Sequence, residues 1–277
     1  MPITLFATLG KAYRFLWDER RDLFAYAFLP VLLVSFIQIA GLWLTGDWQL
    51  FFEALSATPE SAHTPHRPLD PREIPAADIA AMVANAIAAF AAYAMFAVAW
   101  FRRYLIGPES TTVGAAMRWG QRQWRFVARF FMLIFVVLLL GVLATLPLSL
   151  FTNANPILDM FARTAIVIAS LLVTARLLLI LPAAALDHNL GIRDAANATA
   201  GKSWYMVGLY LFSLLPMLFA LIIIGQIIAG LAIGLGGPSL SFMFVALLLQ
   251  QSIMFVAIAA QVTALAEAYR QLVLPPA

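Results

Sequence analysis

Six apolar stretches, each long enough to cross a bilayer, commit this chain to a membrane: Leu23–Thr45, Ile79–Phe101, Phe130–Phe151, Thr164–Leu186, Met206–Gly236 and Leu240–Ala266. At 1.5 Å of rise per residue, about 20 apolar residues in a helix cover the roughly 30 Å hydrocarbon core. Hydrophobic residues make up 63% of the chain and charged residues 11%, against roughly 25% charged residues in a soluble domain. A soluble core could not hide this much apolar surface, but lipid solvates it. In lipid the backbone must satisfy its own polar groups, which helices do within one segment. The sequence therefore predicts an all-α, polytopic membrane protein with six transmembrane helices, folded as a single membrane domain over residues 1–277.

The flanks of the spans orient the thread. An even number of spans puts both termini and the second and fourth connections on one side. That side collects 13 basic residues: Lys11, Arg14, Arg20, Arg21, Arg102, Arg103, Arg118, Arg122, Arg125, Arg129, Arg193, Lys202 and Arg270. The opposite side holds 3, Arg67, Arg72 and Arg163, while acidic residues divide 7 and 7. Retained loops carry their Lys and Arg excess on the cytoplasmic side, so both termini are expected in the cytoplasm. The first span is longer than a signal-peptide core and no small-residue cleavage site follows it, so it is expected to be retained. Of the 17 basic residues 15 are Arg, which, with the Ala-rich spans, suggests a GC-rich bacterial genome and a bacterial inner membrane. The absence of cysteine excludes disulfides, thiol nucleophiles and iron–sulfur ligation.

The 46–78 connection is the only extended polar segment and is expected to face the exterior. Pro59, Pro65, Pro68, Pro71 and Pro75 argue against one continuous helix there, although Trp48–Leu55 fits a short interfacial helix. His63 and His66 stand near Glu60 and Asp70, but Pro65 intervenes, and a metal centre needs three or four ligands in fixed geometry. No metal or cofactor is expected.

The segments that precede each pair of spans are patterned rather than plain loops. In the first, Phe6, Leu9, Tyr13, Leu16 and Trp17 recur at helical spacing. In the second, Val113, Met117, Gly120 and Trp124 share one face, and Arg118, Arg122, Arg125 and Arg129 form a stripe on another. The third, Ile192–Ser203, is weaker. The outlines TLGKAYRFLW, TVGAAMRWGQ and GIRDAANATA fit a unit of cytoplasmic amphipathic helix, span and span, used three times in one orientation. Their low identity leaves open whether this is internal repetition or shared apolar patterning. The Arg stripe fits two roles: orientation with general attraction to anionic lipid at about 1 kcal/mol per residue, or a specific lipid or partner site.

One charge lies well inside a span, Arg176. It could snorkel to the headgroups, form an intramembrane ion pair with Glu267, or line a pathway. Gln38, Asn85, Gln226, Gln250, Gln251, Ser252, Gln261 and Thr263 are scattered through the spans as interhelical hydrogen-bonding groups do. Pro30, Pro147, Pro182 and Pro216 predict kinks. Gly230 and Gly234 form a GxxxG pair, compatible with packing within the chain or with a homo-oligomer.

No Ser–His–Asp order, HExxH helix or phosphate-binding Gly-rich loop is present. The nearest polar set is Asp187, His188 and Glu267. The run Leu181-Pro182, Asp187, Gly191, Ala195 and Ser203 leading into the fifth span, behind an amphipathic start and a proline-bearing first span, resembles the six-span membrane domain attached to some bacterial glycerophosphodiester phosphodiesterases, and related inner-membrane proteins. The metal-binding acidic pattern of their catalytic barrel is missing, so phosphodiesterase activity is not carried over. The resemblance implies a membrane module linked to envelope or lipid homeostasis. The expected role is a non-enzymatic scaffold or modulator of membrane lipids or partner proteins. The alternative is a transporter or permease subunit for a small or lipid-like solute. Expected partners are anionic membrane lipids, a membrane protein or a second copy of the chain, and no nucleic acid.

Overall fold

The computed structural model describes residues 4–45, 76–110, 112–152, 156–234 and 240–274. The expected Trp48–Leu55 helix and the His63 and His66 pair lie outside the described residues. Every regular element among the described residues is helical. In chain order the helices are α1 (Leu5–Asp18), α2 (Arg20–Thr45), α3 (Ala76–Leu105), α4 (Val113–Ala116), α5 (Gln121–Thr152), α6 (Pro156–Leu177), α7 (Ile180–Ala185), α8 (Ile192–Ala198), α9 (Ser203–Gly234) and α10 (Leu240–Leu272).

Six stretches among them are long and apolar enough to cross a membrane: Arg20–Thr45, Asp78–Leu105, Gln121–Thr145, Asp159–Ala185, Ser203–Leu231 and Ser241–Leu272. Their outward side chains are apolar too. Phe24, Phe28 and Phe36 on α2, Phe131 and Phe135 on α5, and Phe219, Ile222 and Ile223 on α9 are exposed. Continuous apolar surface on this scale is untenable in water and natural in lipid. The protein is a multi-pass, all-α membrane protein. A short helix followed by two spans occurs three times in the element order: α1 before α2 and α3, α4 before α5 and α6, and α8 before α9 and α10.

The boundaries differ from the sequence expectation in informative ways. The second amphipathic segment is not one helix: α4 stops at Ala116, and Arg122, Arg125 and Arg129 belong to α5, the third span itself. The fourth span is interrupted. Helix α6 ends at Leu177 and α7 starts at Ile180. Pro182 has no N–H to offer the carbonyl of Leu178 and its ring clashes with that carbonyl, and the break falls at that point.

The described residues form two compact units. The first comprises Met1–Arg20, Ala97–Leu214 and Ala259–Ala277. Its core joins Leu9 and Ala12 of α1, Ala175 of α6, Leu179 and Ala183 at α7, Met206 and Leu209 of α9, and Ala264, Ala268 and Tyr269 of α10. The alanines allow close backbone approach, as small residues do in membrane bundles. Helix α1 buries Thr8, Leu9, Ala12 and Leu16. Phe6 and Trp17, expected on that same face, are instead exposed. Leu5 seats on Gly208 of α9, where an added Cβ would come within 3.1 Å of the Leu5 side chain.

The second unit comprises Arg21–Phe96 and Leu215–Ile258. Phe255 packs on Tyr93 and Phe96 with ring centroids 5.0 and 5.2 Å away. Tyr93 donates to Gln251 at 2.9 Å, and Gln251 donates to Gln38 at 3.0 Å. Gln38 also borders an apolar crevice of about 330 Å³ with Leu42, Ile79, Met82 and Asn85.

Candidate anion-binding site

Helix α7 ends in a way that makes Asp187 conspicuous. The N–H of His188 reaches back to the carbonyl of Ala183 at 2.9 Å, and that of Asp187 to Ala184 at 3.3 Å. These are the paired bonds of a Schellman ending, which requires a left-handed residue just beyond the C-cap. Glycine is usual there, because a Cβ in that conformation costs roughly 1–2 kcal/mol. Here the residue is Asp187, φ 62°, the only non-glycine with positive φ among the described residues. A carboxylate held in that conformation directs attention to its partners.

Those partners are arginines from two other helices. Arg122 Nε of α5 donates to Asp187 Oδ2 at 2.7 Å, and Arg125 Nη1 donates to Oδ1 at 3.1 Å. Arg102 Nη1 of α3 stands 3.9 Å from Oδ2 and donates to the carbonyl of Ala185, at the end of α7, at 3.3 Å. Partial burial pushes the Asp187 carboxyl up. The Arg122 hydrogen bond and the charges of Arg122, Arg125 and Arg102 outweigh it and hold the group below the usual carboxylate range. The next two residues are engaged as well. His188 Nδ1 lies 3.0 Å from the Tyr269 hydroxyl, and Arg129 donates to Asn189 Oδ1 at 3.0 Å. Three consecutive side chains thus tie the 187–189 turn to α5 and α10.

Beside this cluster lies a cavity of about 450 Å³, bounded by Arg102, Arg118, Arg122, Arg125 and Asp187 together with Val98, Ala99, Ala115 and Ala116. Four guanidinium groups face one carboxylate, a local excess of three positive charges. Two of the donors are unused. Arg102 Nε is buried with no hydrogen-bond partner among the described residues. The guanidinium of Arg118, exposed in the turn before α5, makes no hydrogen bond or ion pair among the described residues. The positive end of the α5 dipole adds to the same potential: Gly120 and Gln121 also line the cavity, and helix N-termini favour anions. Trp119 and Trp124 flank this region edge to face at 5.3 Å. With Trp17 and Trp204 they are outward-facing, at the ends of spans where indoles settle among headgroups.

Comparison with known proteins finds no matching family model, no similar curated protein and no similar solved structure. What the site can do therefore rests on its own geometry: it can hold an oxyanion.

The expected stripe is divided. Arg122 and Arg125 grip Asp187, Arg129 grips Asn189, and Arg118 lies apart from the helix as a free rim donor. Arg102, the most enclosed of the four cavity arginines by position and one the sequence marked only as a topology signal, belongs to the cavity.

Of the alternatives for Arg176, the pairing with Glu267 is not formed. Arg176 Nη2 donates to the Ala196 carbonyl at 2.6 Å, and its Nε lies 3.4 Å from Thr199 Oγ1. Ala196 is in the last turn of α8, where carbonyls lack helical partners, so Arg176 acts as a C-terminal cap. Glu267 is completely buried. It accepts from Tyr104 at 2.8 Å, Gln271 at 2.8 Å and Lys11 at 3.2 Å, and pairs with Arg270. Asp187, His188 and Glu267 each have separate partners. Among the described residues no three His, Cys, Asp or Glu side chains are placed to share a metal ion.

Proposed function

We propose that this protein is a non-enzymatic membrane module that binds anionic lipid headgroups at the Arg102–Arg118–Arg122–Arg125 cavity, and through them modulates membrane lipids or a partner protein. The observation that carries this reading is the pair of unused donors, Arg102 Nε and Arg118, in a cavity with more guanidinium groups than its single carboxylate can neutralise. A buried polar atom without a partner calls for an explanation, and an anionic ligand supplies one. Interfacial tryptophans and apolar walls at Val98, Ala99 and Ala116 suit a headgroup that enters from the membrane surface.

The same reading places the protein in a bacterial inner membrane with both termini cytoplasmic, on the strength of the basic asymmetry along the sequence. It agrees with the role implied by the resemblance to the phosphodiesterase-associated membrane domain. A solute pathway through Arg176 is less favoured, because that side chain is engaged as the cap of α8.

The test is lipid retention. The full chain is purified in nanodiscs containing phosphatidylcholine and phosphatidylglycerol, and co-purifying lipid is measured by native mass spectrometry. Enrichment of the anionic lipid in the parent protein, lost in Arg118→Gln, is expected. Bulk lipid composition around the parent protein overturns the reading.

A further inference from the structure

We infer that the cavity recognises a terminal phosphomonoester and that Asp187 is its built-in competitor, a carboxylate occupying the Arg122 and Arg125 donors that the incoming phosphate takes over. The inference rests on the anion-binding reading above and specifies its ligand chemistry.

The first argument is charge. Arg102, Arg118, Arg122 and Arg125 against Asp187 leave three positive charges at the cavity. A phosphomonoester carries about −1.5 to −2 charges at pH 7, and a phosphodiester headgroup carries one. The monoester therefore neutralises more of the excess.

The second argument is donor count. A terminal phosphate offers three acceptor oxygens, whereas a diester has two that are non-bridging. The vacant donors are Arg102 Nε and the Arg118 fork, and displacement of Asp187 adds those of Arg122 and Arg125. Bidentate guanidinium contacts suit phosphate oxygens as well as carboxylates.

The third argument is the placement of Asp187. It hangs from a left-handed turn residue at the cavity margin, not from a helix interior. Its carboxylate is about one-third exposed, so it can leave its arginines for water without unmaking the core. A cavity of about 450 Å³ exceeds what a bare phosphate fills, which leaves room for the ester oxygen and its first carbons against Val98 and Ala99. The chemistry is common to a phosphatidate-type lipid and to a soluble phosphomonoester, and the experiment separates the two.

The full chain is placed in phosphatidylcholine nanodiscs doped with either phosphatidic acid or phosphatidylglycerol, and bound lipid is compared by native mass spectrometry. Glycerol 3-phosphate is then titrated in as a soluble competitor. Phosphatidic acid is expected to be retained about fivefold over phosphatidylglycerol, the ratio expected from about one extra charge contact at the interface. In the unaltered protein this preference should vanish as pH falls through about 6, where the monoester loses its second charge. Asp187→Asn tolerates the left-handed turn and removes the competitor, so it should raise phosphatidic acid retention about fivefold. Displacement by glycerol 3-phosphate supports the monoester with a soluble source, and retention in its presence supports the lipid source. Equal retention of both lipids overturns the monoester inference and leaves anionic headgroup binding standing. Retention of neither above phosphatidylcholine overturns both. An unchanged affinity in folded Asp187→Asn overturns the competitor role.

Discussion

Two carboxylates in the first unit, Asp187 and Glu267, are each surrounded by positive groups, yet they are built to opposite ends. Glu267 is completely buried, with hydrogen bonds from Tyr104, Gln271 and Lys11 and an ion pair to Arg270. Its neighbours are themselves connected: Thr8 lies 3.4 Å from Gln271 Oε1 and 3.0 Å from the Tyr205 hydroxyl, and Phe15 stacks edge-on against Tyr104 at 4.7 Å. That network fastens α1 to α3 and α10. Asp187 is partly exposed, faces more cations than it can neutralise, and leaves a donor of Arg102 without a partner. A satisfied charge cluster holds a fold together, whereas an unsatisfied one beside a cavity has capacity for a ligand.

The largest effect that could break this contrast is at Glu267. Glu267→Ala should destabilise the protein by about 3 kcal/mol, because it removes the buried member of an ion-pair cluster. Lys11 and Arg270 are half exposed and regain water, which keeps the loss at the lower end. Thermal unfolding in detergent measures it, and equal losses for Glu267→Ala and Asp187→Asn would erase the distinction. Arg176→Ala comes next, at about 1–2 kcal/mol, since it removes the charged donor from the Ala196 carbonyl and leaves it only the Thr199 hydroxyl at 3.2 Å. Its lipid retention should match the parent protein, and altered retention would give Arg176 the pathway role that its capping contacts argue against.

Backbone strain at Asp187 sharpens the comparison further. Asp187→Gly and Asp187→Ala both remove the carboxylate, but only alanine keeps a Cβ in the left-handed turn. The glycine variant should be the more stable by about 1 kcal/mol, read as the difference in unfolding midpoint. The smallest effect concerns pH. The Asp187 carboxyl lies lower in the folded protein than in the unfolded chain, so its stabilisation is fully present above the unfolded value of about 4 and is lost as pH falls through the lower folded value. Solvent screening limits it to less than about 1 kcal/mol. The stability difference between the parent protein and Asp187→Asn should be constant from pH 7 to 5 and shrink only below about pH 4. A difference that shrinks near pH 6 would point to a carboxyl that is not held by its arginines.

The spans were legible because each depends on length and apolarity along one segment. Six were expected and six such helices are found, with ends displaced where polar residues extend the helix, as at Gln121–Arg129. The interruption at Leu178–Leu179 could be read only in part, since Pro182 announces a kink without saying that the chain beyond it will form a separate helix. The cavity was half legible. The Arg spacing was plain, but of the four arginines only Arg122 and Arg125 hydrogen-bond to one anion, while Arg129 turns to Asn189. That the anion is Asp187 was not plain, because Arg122 and Asp187 stand 65 positions apart and nothing local joins them. Arg176 was legible only as a set of alternatives. Its charge inside an apolar run allowed snorkelling, a pair with Glu267 or a pathway, whereas its guanidinium meets a carbonyl at the end of α8, an acceptor every residue carries and no sequence pattern marks.

By itself the sequence determined that the chain carries six helices long and apolar enough to cross a membrane, because bilayer thickness and the cost of bare backbone in lipid act on each segment separately. Only the tertiary structure decided which of the basic residues share a cavity, which carboxylate is sealed and which left accessible, and which donors remain unused. Those outcomes depend on the distances between side chains of different helices, and packing sets such distances only when the helices are assembled.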